Sequence, residues 1–237
     1  MLYSLKSGRT TKQFSKNRNS FKIGFGFSFN PNFDGNALAW YDGNIALSNT
    51  QWDDQGAGGH NISFFNTPVI VSGATPLRDA VRFDGVNQGG FSTTPNLNQP
   101  YTVYLVVNSI SFFANGRIFD NGTGSNNRLF QAGTSPNLNV FGGTTLAGNP
   151  DLSLGTFGVM AIVFNNLSGE IRTNLNTAVN GSIGANNNVG FSIGARQNQG
   201  NACNCEIGYL IFRAGGDSTA IQDYIIGSLR TICGLTF

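Results

Sequence analysis

Hydrophobic and polar residues alternate over short stretches along most of the chain. In the segment IGFGFSF, the apolar side chains fall on one face and Gly and Ser on the other. A period of two predicts a β-strand over 23–29. Its small-residue face would let another backbone approach closely, so this strand could complete its own sandwich or be lent to a neighbouring molecule.

Further short strand-like runs, separated by Asn-Gly, Asp-Gly and other turn signals, continue towards the C-terminus. The predicted strands span 37–43, 67–73, 80–85, 101–107, 117–122, 128–133, 138–143, 158–165, 169–175, 190–195 and 206–214. Regular spacing of this kind predicts a sandwich of mostly antiparallel strands. The runs 102–107 and 158–164 are almost continuously apolar, so both faces of these strands should be covered, by long loops or by a partner subunit. This pattern favours oligomerisation.

One helix is predicted near the C-terminus. Apolar residues recur there at helical spacing, at Ile221, Tyr224, Ile225, Leu229 and Ile232. Thr219 and Gln222 match a capping box, and Gly234 supplies a stop. We expect the apolar stripe to pack on the end or edge of the sandwich, with Cys233 near the packed surface.

Composition narrows the fold class further. The 237 residues include 32 Gly and 31 Asn, which excludes a helical bundle or coiled coil because both residues favour turns. Hydrophobic residues make up 40% of the chain, so it is not disordered, and its length fits a single β domain.

Cys203, Cys205 and Cys233 with the single histidine His60 do not make a convincing zinc site. We expect reduced, partly buried thiols.

Charge is distributed very unevenly. The first 22 residues contain no acidic residue and six basic ones, Lys6, Arg9, Lys12, Lys16, Arg18 and Lys22. The remainder carries eight Arg and twelve carboxylates. A basic arm on an acidic body predicts a tether to nucleic acid or to an acidic protein surface; the alternative is a solubilising tail. We find neither a membrane-spanning apolar run nor the apolar core of a signal peptide, and so expect synthesis and folding in a cytoplasm.

The order of the motifs adds a family resemblance. AWYDG, WDDQGAGGHN, VRFDGVNQGGF, YTVYLVV, RIFDNG, FGVMAIVFN, GFSIGA and CEIGYLIF, followed by a short helix, together resemble a concanavalin A-like, laminin-G-type jelly roll over about 37–234. The resemblance is to the versions found in bacteriophage structural proteins and bacterial surface proteins. It implies an all-β, two-sheet antiparallel sandwich with a short C-terminal helix. The extended basic N-terminal arm lies outside the resemblance and is predicted from the charge distribution. The expected division is an arm with a docking strand over 1–36 and the sandwich over 37–237.

Catalytic and metal motifs are scarce. Hydrolases that share this fold place paired carboxylates across the scissile bond, but the only glutamates are Glu170 and Glu206, without the Glu-x-Asp-x-Glu spacing. No GxSxG nucleophile motif occurs. We expect no catalytic residues and no cofactor. Calcium prefers several oxygen ligands, and no ligand-loop spacing supports a site at Asp53, Asp54, Asp84 or Asp120.

The candidate ligand surface is a Gly-rich loop with Trp52, Asp53, Asp54 and His60. Sugars stack on aromatic rings and hydrogen-bond to carboxylates, so this loop could bind carbohydrate. In the alternative interpretation, Trp52 is a buried anchor of the loop and the two aspartates cap turns.

Three functions compete, of which we favour the first and expect the third least. The first is a non-enzymatic bacteriophage virion protein, made in the host cytoplasm: a head fibre, capsid decoration or tail-associated protein. Its arm would dock on other virion proteins and its lectin-like domain would bind host glycans. A coat protein whose arm contacts nucleic acid is a variant of this, and a homotrimer is implied by the resemblance alone. The second function is a cytoplasm-made carbohydrate-binding module, and the third is a glycoside hydrolase.

Overall fold

The computed structural model describes residues 29–122, 126–148 and 152–237. These ranges contain sixteen strands and one helix. The elements are β1 (Ala37–Asp42), β2 (Gln51–Trp52), β3 (Ile62–Phe65), β4 (Val69–Val71), β5 (Ala80–Asp84), β6 (Gly89–Leu97), β7 (Tyr101–Ser109), β8 (Arg117–Asn121), β9 (Arg128–Gln131), β10 (Leu138–Phe141), β11 (Thr145–Ala147), β12 (Gly158–Phe164), β13 (Gly169–Thr173), β14 (Val179–Gly181), β15 (Asn188–Ile193), β16 (Asn204–Ala214) and α1 (Thr219–Cys233).

The strands form two antiparallel sheets that stack face to face. The first sheet has the order β14-β13-β12-β7-β16-β5-β4, and β1 also pairs with β16. The second sheet has the order β11-β10-β9-β8-β15-β6-β3-β2. The predicted all-β, two-sheet sandwich with one C-terminal helix is therefore confirmed.

Aromatic side chains join the centres of the two sheets. Phe191 of β15 lies 4.3 Å from Phe212 of β16, between ring centroids, and Phe119 of β8 lies 5.8 Å from Phe212. All three rings are fully buried. Alternate positions of each strand point inward, so the period of two in the sequence places these rings in one layer.

The helix covers the outer face of the first sheet. A second apolar cluster joins β7, β12 and β16 to α1, and its members are Tyr104, Val106, Val159, Ala161, Tyr209, Ile211, Ile225, Ile226, Leu229, Ile232 and Cys233. The expectation that the helix packs on an end or edge of the sandwich was wrong. The continuous apolar runs of β7 and β12 arise because one face meets the sandwich core and the other meets α1. No partner subunit is needed to explain them.

The two ends of α1 are built differently. Gly234 ends the helix in the left-handed conformation, with φ of 68°, as predicted. At the start, Ser218 is the N-cap and makes no side-chain capping bond. The Gln222 amide instead donates to Glu170 Oε2 at 2.7 Å and to the Asp217 carbonyl at 3.1 Å. The predicted capping box was wrong because tertiary partners outcompete the local one. None of the described helices has the length and apolar character of a membrane span.

The segment before β1 is attached to the first sheet. Phe29 packs against Tyr209 and Tyr224, with ring centroids 6.5 and 6.2 Å away. Residues 31–35 form a turn and a bend. The basic arm and the predicted strand 23–29, apart from Phe29, lie outside the described residues.

All three cysteines are buried and unpaired. The expectation of free thiols is confirmed, and Cys233 lies at the packed surface of α1, as predicted. Burial raises the pKa of the Cys233 thiol to about 12. A thiol in such surroundings is protonated at neutral pH and is a poor nucleophile.

Candidate functional site

Trp52 lies at the end of β2 and is fully buried. Its indole Nε1 donates a hydrogen bond to the backbone carbonyl of Asp42 at 3.0 Å. The ring also packs on Tyr41, with 5.6 Å between centroids. A ring without exposed surface offers no face for a sugar to stack on. Trp52 is thus an anchor of its loop, and the exposed platform considered from the sequence is not formed.

Asp54 organises the loop that follows Trp52. Its Oδ1 accepts hydrogen bonds from the backbone N–H groups of Trp40 and Gly56, at 3.1 and 2.8 Å. Its Oδ2 accepts the backbone N–H of His60 at 3.0 Å. A carboxylate used in this way fixes the backbone, as acidic side chains commonly do in turns. Asp54 and His60 therefore come together, but most of the hydrogen-bonding capacity of Asp54 is already taken.

His60 joins this loop to the second sheet and lies beside a polar cleft. Its Nδ1 is 2.8 Å from Thr94 Oγ1. Next to this contact a cleft of about 190 Å³ opens, lined by Gly59, Asn61, Ser63, Phe91, Ser92, Thr93 and Thr94. Hydroxyl groups, an amide and a half-buried ring are the groups that bind sugar hydroxyls and sugar faces.

Asp53 belongs to a different depression. Its carboxylate accepts a hydrogen bond from the side chain of Gln51. The depression has a volume of about 410 Å³ and is lined by Ala46, Leu47, Ser48, Thr50, Gln51 and Asp53. The four residues predicted together are thus divided among the core, the loop and this second depression.

The aspartates considered for calcium also lie apart. Asp84 Oδ1 accepts the backbone N–H groups of Val86 and Asn87, at 2.8 and 3.2 Å, and so closes its own turn. Asp120 pairs with arginines. Within the described ranges, no three His, Cys, Asp or Glu side chains come together where they could hold a metal ion.

Glu170 and Glu206 lie at distant positions of the first sheet. Strand register connects Glu170, through Val163, to Thr102 of β7, whereas Glu206 pairs with Asn108 of the same strand. Six residues of strand separate these two rows by roughly 20 Å. A glycosidase needs its carboxylates roughly 5–10 Å apart. These two glutamates therefore do not form a catalytic pair.

The outer face of the second sheet carries a group of charges that the sequence did not predict as a site. Asp120 on β8 is fully buried, and its Oδ2 lies 3.4 Å from Arg117 Nε and 3.7 Å from Arg196 Nε. Arg128 on β9 also acts electrostatically on Asp120. We call Arg117, Arg128, Arg196 and Asp120 the arginine cluster. Three guanidinium groups face one carboxylate, so the cluster is positive overall.

Two phenylalanine rings position the guanidinium groups. The Arg117 Cζ lies 4.8 Å from the centroid of the Phe130 ring, and the Arg128 Cζ lies 4.1 Å from that of Phe141. Such cation–π contacts hold a cation in place without using its hydrogen-bond donors. Nε and Nη1 of Arg117 and Nε of Arg128 thus remain available for other partners.

Several buried polar atoms of this region make no hydrogen bond to the described residues. They are Nε and Nη1 of Arg117, Nε of Arg128, Oδ2 of Asp120 and Oγ of Ser192. Burial, with the charge of Arg128, lowers the pKa of Arg117 to about 10, and burial raises the pKa of Asp120. Both shifts mean that the charged forms are poorly solvated. Buried polar groups without a hydrogen-bond partner are uncommon in proteins, and such groups often face a ligand, ion or water.

Strand register places the cleft and the arginine cluster on one face. Residues directly opposite in an antiparallel pair share a face. Register pairs connect Ser63, Phe91, Ser192 and Asp120 from β3 to β8. Phe119 of β8 pairs with Leu129 of β9, so the adjacent residues Asp120 and Arg128 continue the row, and Arg128 pairs with Phe141 of β10. It crosses five strand spacings, about 24 Å. The face is therefore long enough to contact an extended ligand at more than one point.

Comparison with known proteins supports the fold. No family model and no curated protein matches the sequence. Domain 4 of AbnA, an extracellular GH43 arabinanase from Geobacillus stearothermophilus solved with arabinotriose, has a TM-score of 0.64 at 15% identity over 81% of this chain and 98% of that one. The binding domain of Paraclostridial mosquitocidal protein 1 has a TM-score of 0.63 at 11% identity over 81% and 52%. Trypanosoma rangeli sialidase, in complex with 2,3-difluorosialic acid, has a TM-score of 0.64 at 10% identity over 83% and 33%.

At these identities the likeness shows the fold alone. This chain is similar to nearly the whole of the arabinanase domain, to about half of the toxin chain and to about a third of the sialidase chain. The jelly-roll-like sandwich implied by the resemblance is confirmed, and the neighbours are glycan-related or binding domains. The link to bacteriophage proteins stays a prediction.

Proposed function

We propose that this chain is a non-catalytic carbohydrate-binding module and that the outer face of the second sheet binds the glycan. One asymmetry carries the proposal: α1 covers the outer face of the first sheet, while no described helix packs on that of the second. The second face carries the cleft beside His60 and the row of polar and aromatic side chains. The structural neighbours solved with arabinotriose and with a sialic acid derivative support the choice of ligand class.

The test compares two aromatic residues on opposite faces of the molecule. Phe91 is half-buried in the cleft, and Tyr224 is 50% exposed on α1. We expect Phe91→Ala to weaken binding in a polysaccharide panel and Tyr224→Ala to leave it unchanged, because only Phe91 lies on the proposed face. Binding is measured by affinity electrophoresis after thermal melts confirm folding. Absence of binding to every polysaccharide, or equal loss in both variants, would contradict the proposal.

Binding without catalysis is the second part of this proposal. It is supported by the separation of Glu170 and Glu206, and by their structural partners. Glu170 accepts a hydrogen bond from Gln222, and Glu206 pairs with Arg82 and Asn108. Polysaccharides that bind the protein should release no new reducing ends on long incubation. Release that is lost in Glu170→Gln or Glu206→Gln would show that the chain is a hydrolase.

The biological setting we propose is a bacteriophage particle, on which the module is displayed and attached by the basic arm. The support is the sequence resemblance and the separation of charge between the first 22 residues and the remainder. The arm would dock on acidic surfaces of other virion proteins. Density maps and protein composition of purified bacteriophage particles test the assignment. If the chain is found in no such particle, only the carbohydrate-binding module remains.

A further inference from the structure

The arginine cluster has more cationic hydrogen-bond donors than its own carboxylate satisfies. Asp120 Oδ1 accepts the backbone N–H of Asn121 at 2.8 Å, and Oδ2 makes no hydrogen bond to the guanidinium groups near it. Arg117 is only 6% exposed, and its Nε and Nη1 have no acceptor among the described residues. A buried cation in this state is costly until an acceptor completes its hydrogen bonds.

The cluster can also be reached from solvent. The side chain of Arg196 is 31% exposed, and Arg128 and Phe141 are half-buried. Arg117 and Asp120 are buried. An incoming anion would meet Arg128 and Arg196 first and would then approach the unpaired donors of Arg117.

We infer that the arginine cluster binds the carboxylate or sulfate group of an acidic sugar and gives the proposed carbohydrate-binding face a preference for acidic glycans. This rests on the proposed function and specifies its ligand. Carboxylate and sulfate present paired oxygens that match the planar donors of guanidinium. The rings of Phe130 and Phe141 hold two of the guanidinium groups in place for such contacts.

Nucleic acid fits the cluster less well. Phosphates follow one another along a strand, and proteins that bind them use a stripe or large patch of cations. Here the guanidinium groups surround one point, with a carboxylate at its centre. This geometry favours a ligand that carries one anionic group and is otherwise uncharged.

The test uses the full chain in native gels that contain polygalacturonate, dextran sulfate or neutral dextran. The variant Arg128→Gln removes one partly exposed donor, and Arg230→Gln removes the same charge from α1 on the opposite side of the molecule. We expect Arg128→Gln to weaken binding to an acidic polysaccharide about tenfold or more, the effect of losing one charge-assisted hydrogen bond. Arg230→Gln should bind like the natural protein. The two acidic gels identify which anionic group is recognised.

Three other results would contradict the inference, and they can be told apart. Binding to neutral polysaccharides that is unchanged in Arg128→Gln overturns the acidic preference and leaves carbohydrate binding intact. Failure to bind any polysaccharide overturns the proposed function as well. A duplex DNA that binds with the same loss in Arg128→Gln shows a nucleic-acid site instead. If thermal melts show that Arg128→Gln is unfolded, Arg196→Gln takes its place with the same expected results.

Discussion

Arg213 attaches the segment before β1 to the first sheet through hydrogen bonds of its guanidinium group. Its guanidinium is fully buried and donates to the Pro31 carbonyl at 2.7 Å, to Asp34 at 2.6 Å and to Asp217 at 2.7 Å. Although burial alone would lower it, these hydrogen bonds raise the pKa of Arg213 above its ordinary value. The cluster on the second sheet differs because Nε and Nη1 of Arg117 and Nε of Arg128 have no acceptor among the described residues.

This attachment should depend on pH through Asp34. The hydrogen bond from Arg213 lowers the pKa of the Asp34 carboxyl below its ordinary value of 3.8. The ionised form is thus favoured in the folded state, and its stabilisation is present above pH 3.8 and lost as the pH falls through the lower, folded-state pKa. We expect Asp34→Asn to be less stable than the natural protein at neutral pH, with a difference that shrinks in acid. Urea unfolding across this range measures it; a difference independent of pH would contradict the assignment.

Trp52 gives a prediction that separates stability from binding. Trp52→Ala should lower the free energy of unfolding by about 3–5 kcal/mol, because it removes a buried ring and leaves a cavity. Trp52→Phe should cost less, since it keeps an aromatic ring and loses the hydrogen bond to the Asp42 carbonyl. Chemical denaturation provides the values. A Trp52→Ala protein that melts normally but no longer binds glycan would contradict this interpretation and show that Trp52 takes part in binding.

The arginine cluster shows why single residues of the site escaped sequence prediction. Arg117 and Asp120 are three residues apart, so a regular strand would direct them to opposite faces. The register of β8 shifts between Arg117 and Phe119, and the two charges meet on the outer face. A bulge of this kind has no reliable signature in a single sequence. The loop that contains His60 was predicted from its local cluster of polar residues and Gly, and its part in ligand binding stays a prediction.

The helix α1 contributes to stability by covering the first sheet. Leu229 is fully buried against that sheet, whereas Tyr224 on the same helix is 50% exposed. We expect Leu229→Ala to lower the free energy of unfolding by about 2–5 kcal/mol, through lost burial and a cavity. Tyr224→Ala is the matched control and should have a much smaller effect. Urea unfolding compares them, and equal losses would show that the helix does not protect the sheet as described.

Strands with a strong apolar pattern were predictable, and those rich in turn residues were not. The predicted runs 158–165 and 206–214 correspond closely to β12 and β16. The nine residues of β6 were missed because Gly89, Gly90 and Pro95 disguise its alternation. At Gly90 a Cβ atom would lie 2.6 Å from side-chain atoms of Ile62 and Phe64, so close packing of strands requires Gly there. Because β6 was not predicted, the cleft was not predicted either, since Phe91 belongs to this strand.

At the scale of the whole molecule, the two outer faces differ in what covers them. One is covered by α1 and the other carries the cleft and the arginine cluster. Since the apolar strands β7 and β12 are buried within one chain, they no longer argue for association. The trimer remains a prediction from resemblance alone. Weak binding at one face would become useful to a particle that displays many copies, because linked sites raise the effective concentration.

In the proposed setting, the basic arm attaches the molecule to the virion. Its six cationic residues lie outside the described residues, and their charge opposes that of the remainder of the chain. We expect replacement of Lys6, Arg9, Lys12, Lys16, Arg18 and Lys22 by Gln to reduce incorporation into the proposed virion. A variant that exchanges Lys and Arg at the same positions keeps the charge and should incorporate normally.

Copy number per particle measures this tether, and salt identifies its partner. An ionic contact weakens as the Debye length shortens, so the natural protein should leave particles progressively as ionic strength rises. Binding of the free chain to duplex DNA, with an affinity that falls steeply with salt and is lost in the Gln variant, would indicate packaged nucleic acid. We expect no such binding, because the six charges are spread over 17 positions, from Lys6 to Lys22, without an arginine-rich run. Unchanged occupancy of the Gln variant would mean that the arm is a solubilising tail and that another surface attaches the sandwich.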